Sequence, residues 1–200
     1  MVSFAAIIGA YMLGSLSFAV LISRAFGLPD PRSHGSGNPG ATNMLRTGRK
    51  AAAALTLAGD LAKGWVAVSL AAWMRTRYGL PDSVVYAAAV AALLGHIYPL
   101  FFGFKGGKGV ATALGVLLAL SPMLGAICAG IWLAVFTVRR ISSLSALAAA
   151  AAAPIAGFYV LESSTAAVAL FLLAALIFWR HRANISRLLS GTEGGFVKPK

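Results

Sequence analysis

Carboxylates are the scarcest chemistry in this chain. Of its 200 residues only five are acidic, Asp30, Asp60, Asp82, Glu162 and Glu193, and no two of them lie within 20 residues of each other. A phosphate-bound Mg²⁺ ordinarily takes one or two carboxylates beside the substrate oxygens. No metal site is therefore expected, and no cofactor. Any phosphate held here must be met by Lys, Arg and backbone N–H groups. Cysteine is nearly absent as well. Cys128 stands alone inside an apolar run, which excludes an intrachain disulfide and a Cys-rich metal site and leaves it a packing role. Charged residues of both signs make up only 11% of the chain. The first residues, Met1, Val2 and Ser3, lack the basic flank of a cleaved signal peptide, so the first apolar run is expected to stay as a span.

What the chain has is hydrocarbon. It is 59% hydrophobic with a mean hydropathy of +0.82, and apolar runs fall at 3–23, 51–74, 83–103, 110–138, 143–161 and 165–179. Runs near the length that crosses about 30 Å of hydrocarbon predict an all-α integral membrane protein, because an open sheet cannot satisfy its backbone in lipid. The run 110–138 is too long for one straight crossing and is interrupted at Ser121 and Pro122, so it is one kinked span or a hairpin of two short helices. Charge separates these readings. With the N-terminus outside and a hairpin at 110–138 there are seven transmembrane helices and a cytoplasmic C-terminus, and 14 Lys and Arg fall inside, Lys198 and Lys200 among them, against Arg75 and Arg77 outside. A single span reverses the later segments and leaves seven inside against nine outside. The positive-inside rule selects seven spans in one polytopic domain, 1–200, although 111–120 is short for a full crossing and is expected to be covered by its neighbours or only partly inserted.

That topology gathers three polar segments, 34–50, 104–115 and 180–193, on the cytoplasmic side. The net charge of +12 then reflects topology and anionic lipid, so nucleic acid is not an expected partner. In "HGSGNPGATNMLRTGRK", glycines interleave with Ser36, Asn38, Thr42 and Asn43. Thr42 or Asn43 is expected to cap a short helix that carries Arg46, a bidentate partner for an anion. "GFKGGKGVATALG" offers glycine N–H groups, Lys105 and Lys108, and a helix start, but it fails the nucleotide-loop pattern: Lys108 stands where a glycine is required and Gly109 where Ser or Thr would bind Mg²⁺. "RHRANISRLLSGTE" puts His181, Asn184 and Leu188 on one helical face. Asp60 and Lys63, one turn apart inside a span, read either as a functional intramembrane pair or as a packing device, and His96 ends an apolar run.

Together "GSGNPGATNMLR", "GHIYPLFFGFKGGKGVATALG" and "HRANISRLLSGTE" resemble the three signature regions of the PlsY family of bacterial acyl-phosphate:glycerol-3-phosphate acyltransferases, in the family's order and over about a quarter of the chain. The resemblance implies a multi-pass inner-membrane enzyme with its active site on the cytoplasmic side. It would transfer a fatty acyl group from acyl phosphate to the 1-hydroxyl of glycerol 3-phosphate, with acyl phosphate supplied by a soluble phosphate acyltransferase. It further implies that Ser36, Arg46, Lys105, His181 and Asn184 hold glycerol 3-phosphate, with Arg46 and Lys105 on its phosphate. Gly40, Thr42, Asn43, Gly106, Gly107, Lys108, Gly109 and Thr112 fall to the acyl-phosphate head. The general base is either His181 or the substrate's own phosphate. None of His34, His96 and His181 has an acid four residues on, so the HxxxxD pattern of other glycerolipid acyltransferases is absent. The competing classes are a small organic-anion transporter, which would place polar broken helices at the membrane midplane, and a scaffold bound to anionic lipid.

Overall fold

A computed structural model describes residues 1–195; Lys198 and Lys200 of the charge count lie outside them. Among the described residues there are helices and no strands. They run α1 (Val2–Gly14), α2 (Phe18–Ala25), α3 (Ala41–Leu45), α4 (Lys50–Tyr78), α5 (Ser83–Ile97), a single 3₁₀ turn at Leu100–Phe102, α6 (Val110–Leu120), α7 (Pro122–Arg139), α8 (Ser142–Leu161), α9 (Ser164–Arg180) and α10 (Arg182–Leu189). The first apolar run is two helices, α1 and α2, bent by 43° at Ser15–Ser17. Four helices are long and apolar enough to cross a membrane, up to six when each bent pair counts as one span, and α6 is a shorter apolar helix.

The break in 110–138 is a reversal. Ser121 is extended and accepts the Leu124 N–H as the cap of α7, and Pro122 takes the first helical position, where its missing N–H costs nothing. Val110 and Trp132 border one cavity, which a continuous helix would hold about 33 Å apart at 1.5 Å per residue. At 11 residues α6 spans only about 16 Å, and it survives in the bundle because α4, α7 and α5 cover it.

Small residues let these helices approach backbone to backbone. A Cβ on Gly14 would strike the carbonyl of Ala92, and one on Gly95 the carbonyl of Tyr11, so α1 and α5 lock reciprocally. Gly64 meets the Thr112 carbonyl and Gly115 the Leu61 carbonyl in the same way, which joins α4 to α6. In lipid, where burying apolar surface between helices gains little, such close contact supplies the attraction. The core around Leu93, Ile97, Val116, Leu124 and Leu170 completes the bundle, and its loops at one end carry all three polar segments.

Candidate active site

The first polar segment is tied by one side chain. Asn43 is 1% exposed; its Oδ1 accepts the Ser36 N–H at 3.0 Å, and its Nδ2 donates to the carbonyls of Pro31 at 2.8 Å and His34 at 3.1 Å. The expected side-chain cap of α3 is absent. Gly40, in extended conformation, holds the cap position, and Asn43 lies three residues inside the helix with its amide turned back to the loop. Its hydrogen-bonding capacity is thus spent on shaping the loop, which leaves Ser36 and Arg46 exposed on the loop's outer surface. Arg46 packs over Gly35, where a Cβ would stand 3.4 Å from its Cδ. Thr42 is exposed and 3.5 Å from Ser142 at the start of α8. Arg32, paired with Asp30, reaches the Phe102 carbonyl at 3.0 Å and so couples this segment to the next.

The glycine loop is shaped from below and from the side. The Gly107 N–H is given to the His96 carbonyl at 3.2 Å, so it is not free for an anion as the sequence suggested. Arg180 donates Nε to the Gly107 carbonyl and its terminal nitrogen to the Gly106 carbonyl, each at 3.1 Å, which pins the loop to the end of α9. Gly109, at φ 84°, caps α6, and the first-turn N–H groups that follow have no intrahelical acceptor, the arrangement that suits an anion at a helix start. Thr112 is wholly buried with its hydroxyl 3.1 Å from His96 Nδ1, beneath the loop. The Asp60–Lys63 pair expected from spacing forms at 2.9 Å in the same layer.

The two lysines differ. Lys105 is exposed. Lys108 is half-buried, and its Nζ donates to Asn184 Oδ1 at 2.6 Å, which joins the second polar segment to the third. Burial pushes the Lys108 ammonium down to about 8, with Glu193 opposing and Arg187, Arg180 and Arg46 reinforcing the shift.

The third segment presents the expected face, with His181, Asn184 and Leu188 turned inward on α10 and its cap, and it follows a sharp bend. The chain bends by 63° between α9 and α10, with His181 at the corner and Asn184 one turn into α10. His181 is 2% exposed; its Nδ1 donates to the Ile177 carbonyl at 2.8 Å, leaving Nε2 as the acceptor end. Burial pushes its pKa down to about 4, so it is neutral at physiological pH. Asn184 Nδ2 donates to Glu193 Oε1, which also accepts from Ser143 at 2.6 Å, while Arg187 Nε donates to Glu193 Oε2 at 2.6 Å. Burial raises the Glu193 pKa, but the hydrogen bonds from Ser143, Asn184 and Arg187 outweigh it and hold the carboxyl below its usual value. Lys108, Asn184, Glu193 and Ser143 are therefore one chain of hydrogen bonds.

Two of these contributors were not visible in the sequence. Ser143 begins a stretch of Ala and Leu that carries no chemical signal, and Arg180 reads as the basic end of a span. Beside this polar floor lies an apolar cavity of about 60 Å³, lined among others by Val110, Leu117, Cys128, Trp132, Ala150 and Ile177. It begins one residue past Gly109 and at the residue whose carbonyl orients His181.

A cationic, glycine-lined loop cluster thus stands at one end of a helix bundle long and apolar enough to cross a membrane, beside an apolar cavity. The glycerol-3-phosphate acyltransferase family pattern matches residues 4–191. The chain is 56% identical to the glycerol-3-phosphate acyltransferase of Methylobacillus flagellatus and 55% identical to that of Thiobacillus denitrificans, each over 192 residues and 96% of both partners. Its fold matches a crystal structure of PlsY (YgiH), an integral membrane glycerol 3-phosphate acyltransferase, in the glycerol 3-phosphate form: TM-score 0.90, 39% identity, 98% of this chain and 96% of that one. The lysophosphatidic acid form of PlsY matches at a TM-score of 0.88 and 38% identity over 96% of this chain and 94% of that one. The chain belongs to the glycerol-3-phosphate acyltransferase family.

Proposed function

We propose that this chain acylates the 1-hydroxyl of glycerol 3-phosphate from acyl phosphate, releasing lysophosphatidic acid and inorganic phosphate. The observation that carries the reading is the Lys108–Asn184 hydrogen bond of 2.6 Å, which brings the glycine loop and the His181 corner together at the mouth of an apolar cavity. Such a place suits a donor with an anionic head and a hydrocarbon tail. The tail enters the cavity from Val110, and the head rests on Lys108 and the N–H groups at the start of α6, with Gly40, Gly106 and Gly109 giving it backbone access. Glycerol 3-phosphate takes the exposed cations Arg46 and Lys105, with Ser36 on its phosphate and His181 and Asn184 toward its hydroxyls.

Acyl phosphate is a mixed anhydride and needs no acyl-enzyme. The substrate 1-hydroxyl oxygen attacks the carbonyl carbon, the carbon–oxygen bond to phosphate breaks, and the phosphate leaves with the electron pair. The hydroxyl proton goes to the departing phosphate. A phosphate whose second pKa is about 6 is a stronger base than an imidazole held near 4, so His181 orients the hydroxyl rather than keeping its proton. Proximity and neutralisation of the developing oxyanion supply most of the rate.

The charge distribution supports seven spans with this site on the cytoplasmic face of a bacterial inner membrane, where a soluble phosphate acyltransferase would supply the donor. The reading is tested by giving detergent-purified protein acyl phosphate and labelled glycerol 3-phosphate without CoA or added metal. One lysophosphatidic acid per phosphate released is expected. Folded protein that makes no product would return the site to an organic-anion transporter.

A further inference from the structure

The mechanism above leaves four buried polar side chains unused, and they stand where membrane helices ordinarily carry none. Asp60 and Lys63 on α4, His96 on α5 and Thr112 on α6 are 3%, 4%, 7% and 0% exposed. Lys63 Nζ is 2.9 Å from Asp60 Oδ1 but gives its hydrogen bond, at 2.6 Å, to the Leu16 carbonyl between α1 and α2. Asp60 Oδ1 accepts no hydrogen bond and faces His96 Nδ1 at 3.6 Å, a contact between charge and ring edge rather than a hydrogen bond. Thr112 Oγ1 is 3.1 Å from the same nitrogen. With a carboxylate and a hydroxyl oxygen on that edge of the ring, the proton sits on Nδ1, and Nε2 is the opposite edge.

That opposite edge meets the glycine loop. A Cβ on Gly107 would land on His96 Nε2, and one on Gly106 would land on the His96 carbonyl, which already takes the Gly107 N–H. His96 therefore touches both central glycines, one through its ring and one through its backbone. The ion pair beneath it is a poor stabiliser, since desolvating two charges commonly offsets their attraction and apolar replacements are often as stable. Ionisable groups inside a span point instead to function.

We propose that His96 is a positioning residue for the phosphate site: the Thr112 hydroxyl holds its ring, the nearby Asp60 charge favours the proton on Nδ1, and ring and carbonyl together set the curvature of Gly106 and Gly107 over the start of α6. Lys63 cancels the carboxylate charge that would otherwise lie beneath bound anions and ties α4 to the α1–α2 bend. The proposal rests on the acyl-transfer reading only for the identity of the anions, because the loop geometry it concerns is that of any phosphate held there.

The test uses full-length purified protein and four variants, Asp60→Asn, Thr112→Val, His96→Gln and the Asp60→Asn/Thr112→Val double, each checked for thermal unfolding. Thr112→Val keeps the volume of the site and so guards against a simple failure to fold. Steady-state kinetics give kcat and both KM values, and inorganic phosphate as inhibitor reads the cradle without the acyl chain. Asp60→Asn and Thr112→Val are each expected to raise the acyl-phosphate KM and the phosphate inhibition constant about tenfold, with kcat changed less than about twofold. The double variant should be no worse than His96→Gln, because both partners act through one ring. Unchanged constants with only a lowered melting temperature would overturn the proposal, as would fully additive effects exceeding those of His96→Gln. Wild-type turnover tests the acyl-transfer reading separately, and the variants' phosphate inhibition tests the positioning role.

Discussion

The two glycine-rich loops at the active end look alike in sequence and are held in opposite ways. The loop that leads into α3 is tied by neighbours: Asn43 binds Ser36, His34 and Pro31, all within 12 residues, and Arg32 grips Asp30 two residues away. The loop that leads into α6 has short backbone turns of its own, Phe102 and Phe104 N–H to the Pro99 carbonyl among them, and adds to these a side chain from far along the sequence. Arg180, more than 70 residues on, fixes two of its carbonyls, and His96 on α5 supports it from below. Local ties tolerate adjustment, because the loop can relax with its own anchors. A loop shaped by α5 and α9 is instead as rigid as the bundle, which is what a transition state needs from its anion-binding groups.

The contrast can be broken most severely at Gly106. A Cβ there meets the His96 carbonyl, backbone against backbone, so Gly106→Ala is expected to lower kcat/KM by about 100-fold in the purified enzyme. Arg180→Met should come next, with a loss of about 30-fold as two carbonyls lose their donor, and Arg180→Lys should recover only part because one ammonium cannot serve both oxygens in the same geometry. In the first loop, Asn43→Ala removes three buried hydrogen bonds at once. It should cost about 2 kcal/mol in chemical unfolding and raise the glycerol 3-phosphate KM about tenfold.

A pH titration sharpens the comparison further. Lys108 titrates at about 8 in the fold against 10.5 ordinarily, so the native state binds fewer protons than the unfolded chain between those values. Stability from this group therefore rises with pH across that window, while the cation proposed to meet phosphate is lost from about pH 8 upward. Activity is expected to fall where stability gains, and Lys108→Arg should extend the activity plateau beyond about pH 9. The smallest effect belongs to the far end of the bundle. Arg75→Ala, which breaks the exposed pair with Asp82, should change stability by less than about 1 kcal/mol and leave turnover unaltered.

Much of the fold was legible because its causes are local. Apolar runs locate the helices to within a few residues, Ser121 and Pro122 mark the reversal, and the spacing of Asp60 and Lys63 announces their ion pair. Of the site, the residues that converge were visible as polar segments, but what each does was not. Asn43 looked like a helix cap and is a loop tie, the Gly107 N–H looked free and is bonded, and Thr112 looked like a ligand and is buried. The outcomes at Gly107 and Thr112 depend on His96 in another helix, and those at Arg180 and Ser143 on loop residues 50 or more positions away, which no spacing along the chain encodes; Asn43 finds its partners nearby, but only once the loop has folded back on it.

In the proposed reaction the loop separates two phosphates, a water-soluble one at exposed Lys105 and a lipid-tailed one at half-buried Lys108. The most direct measurement is the pair of KM values in Lys105→Ala. A rise of about tenfold or more for glycerol 3-phosphate, with acyl phosphate changed less than about twofold, is the predicted result. Near-normal values for both substrates, or equal shifts in both, would contradict it.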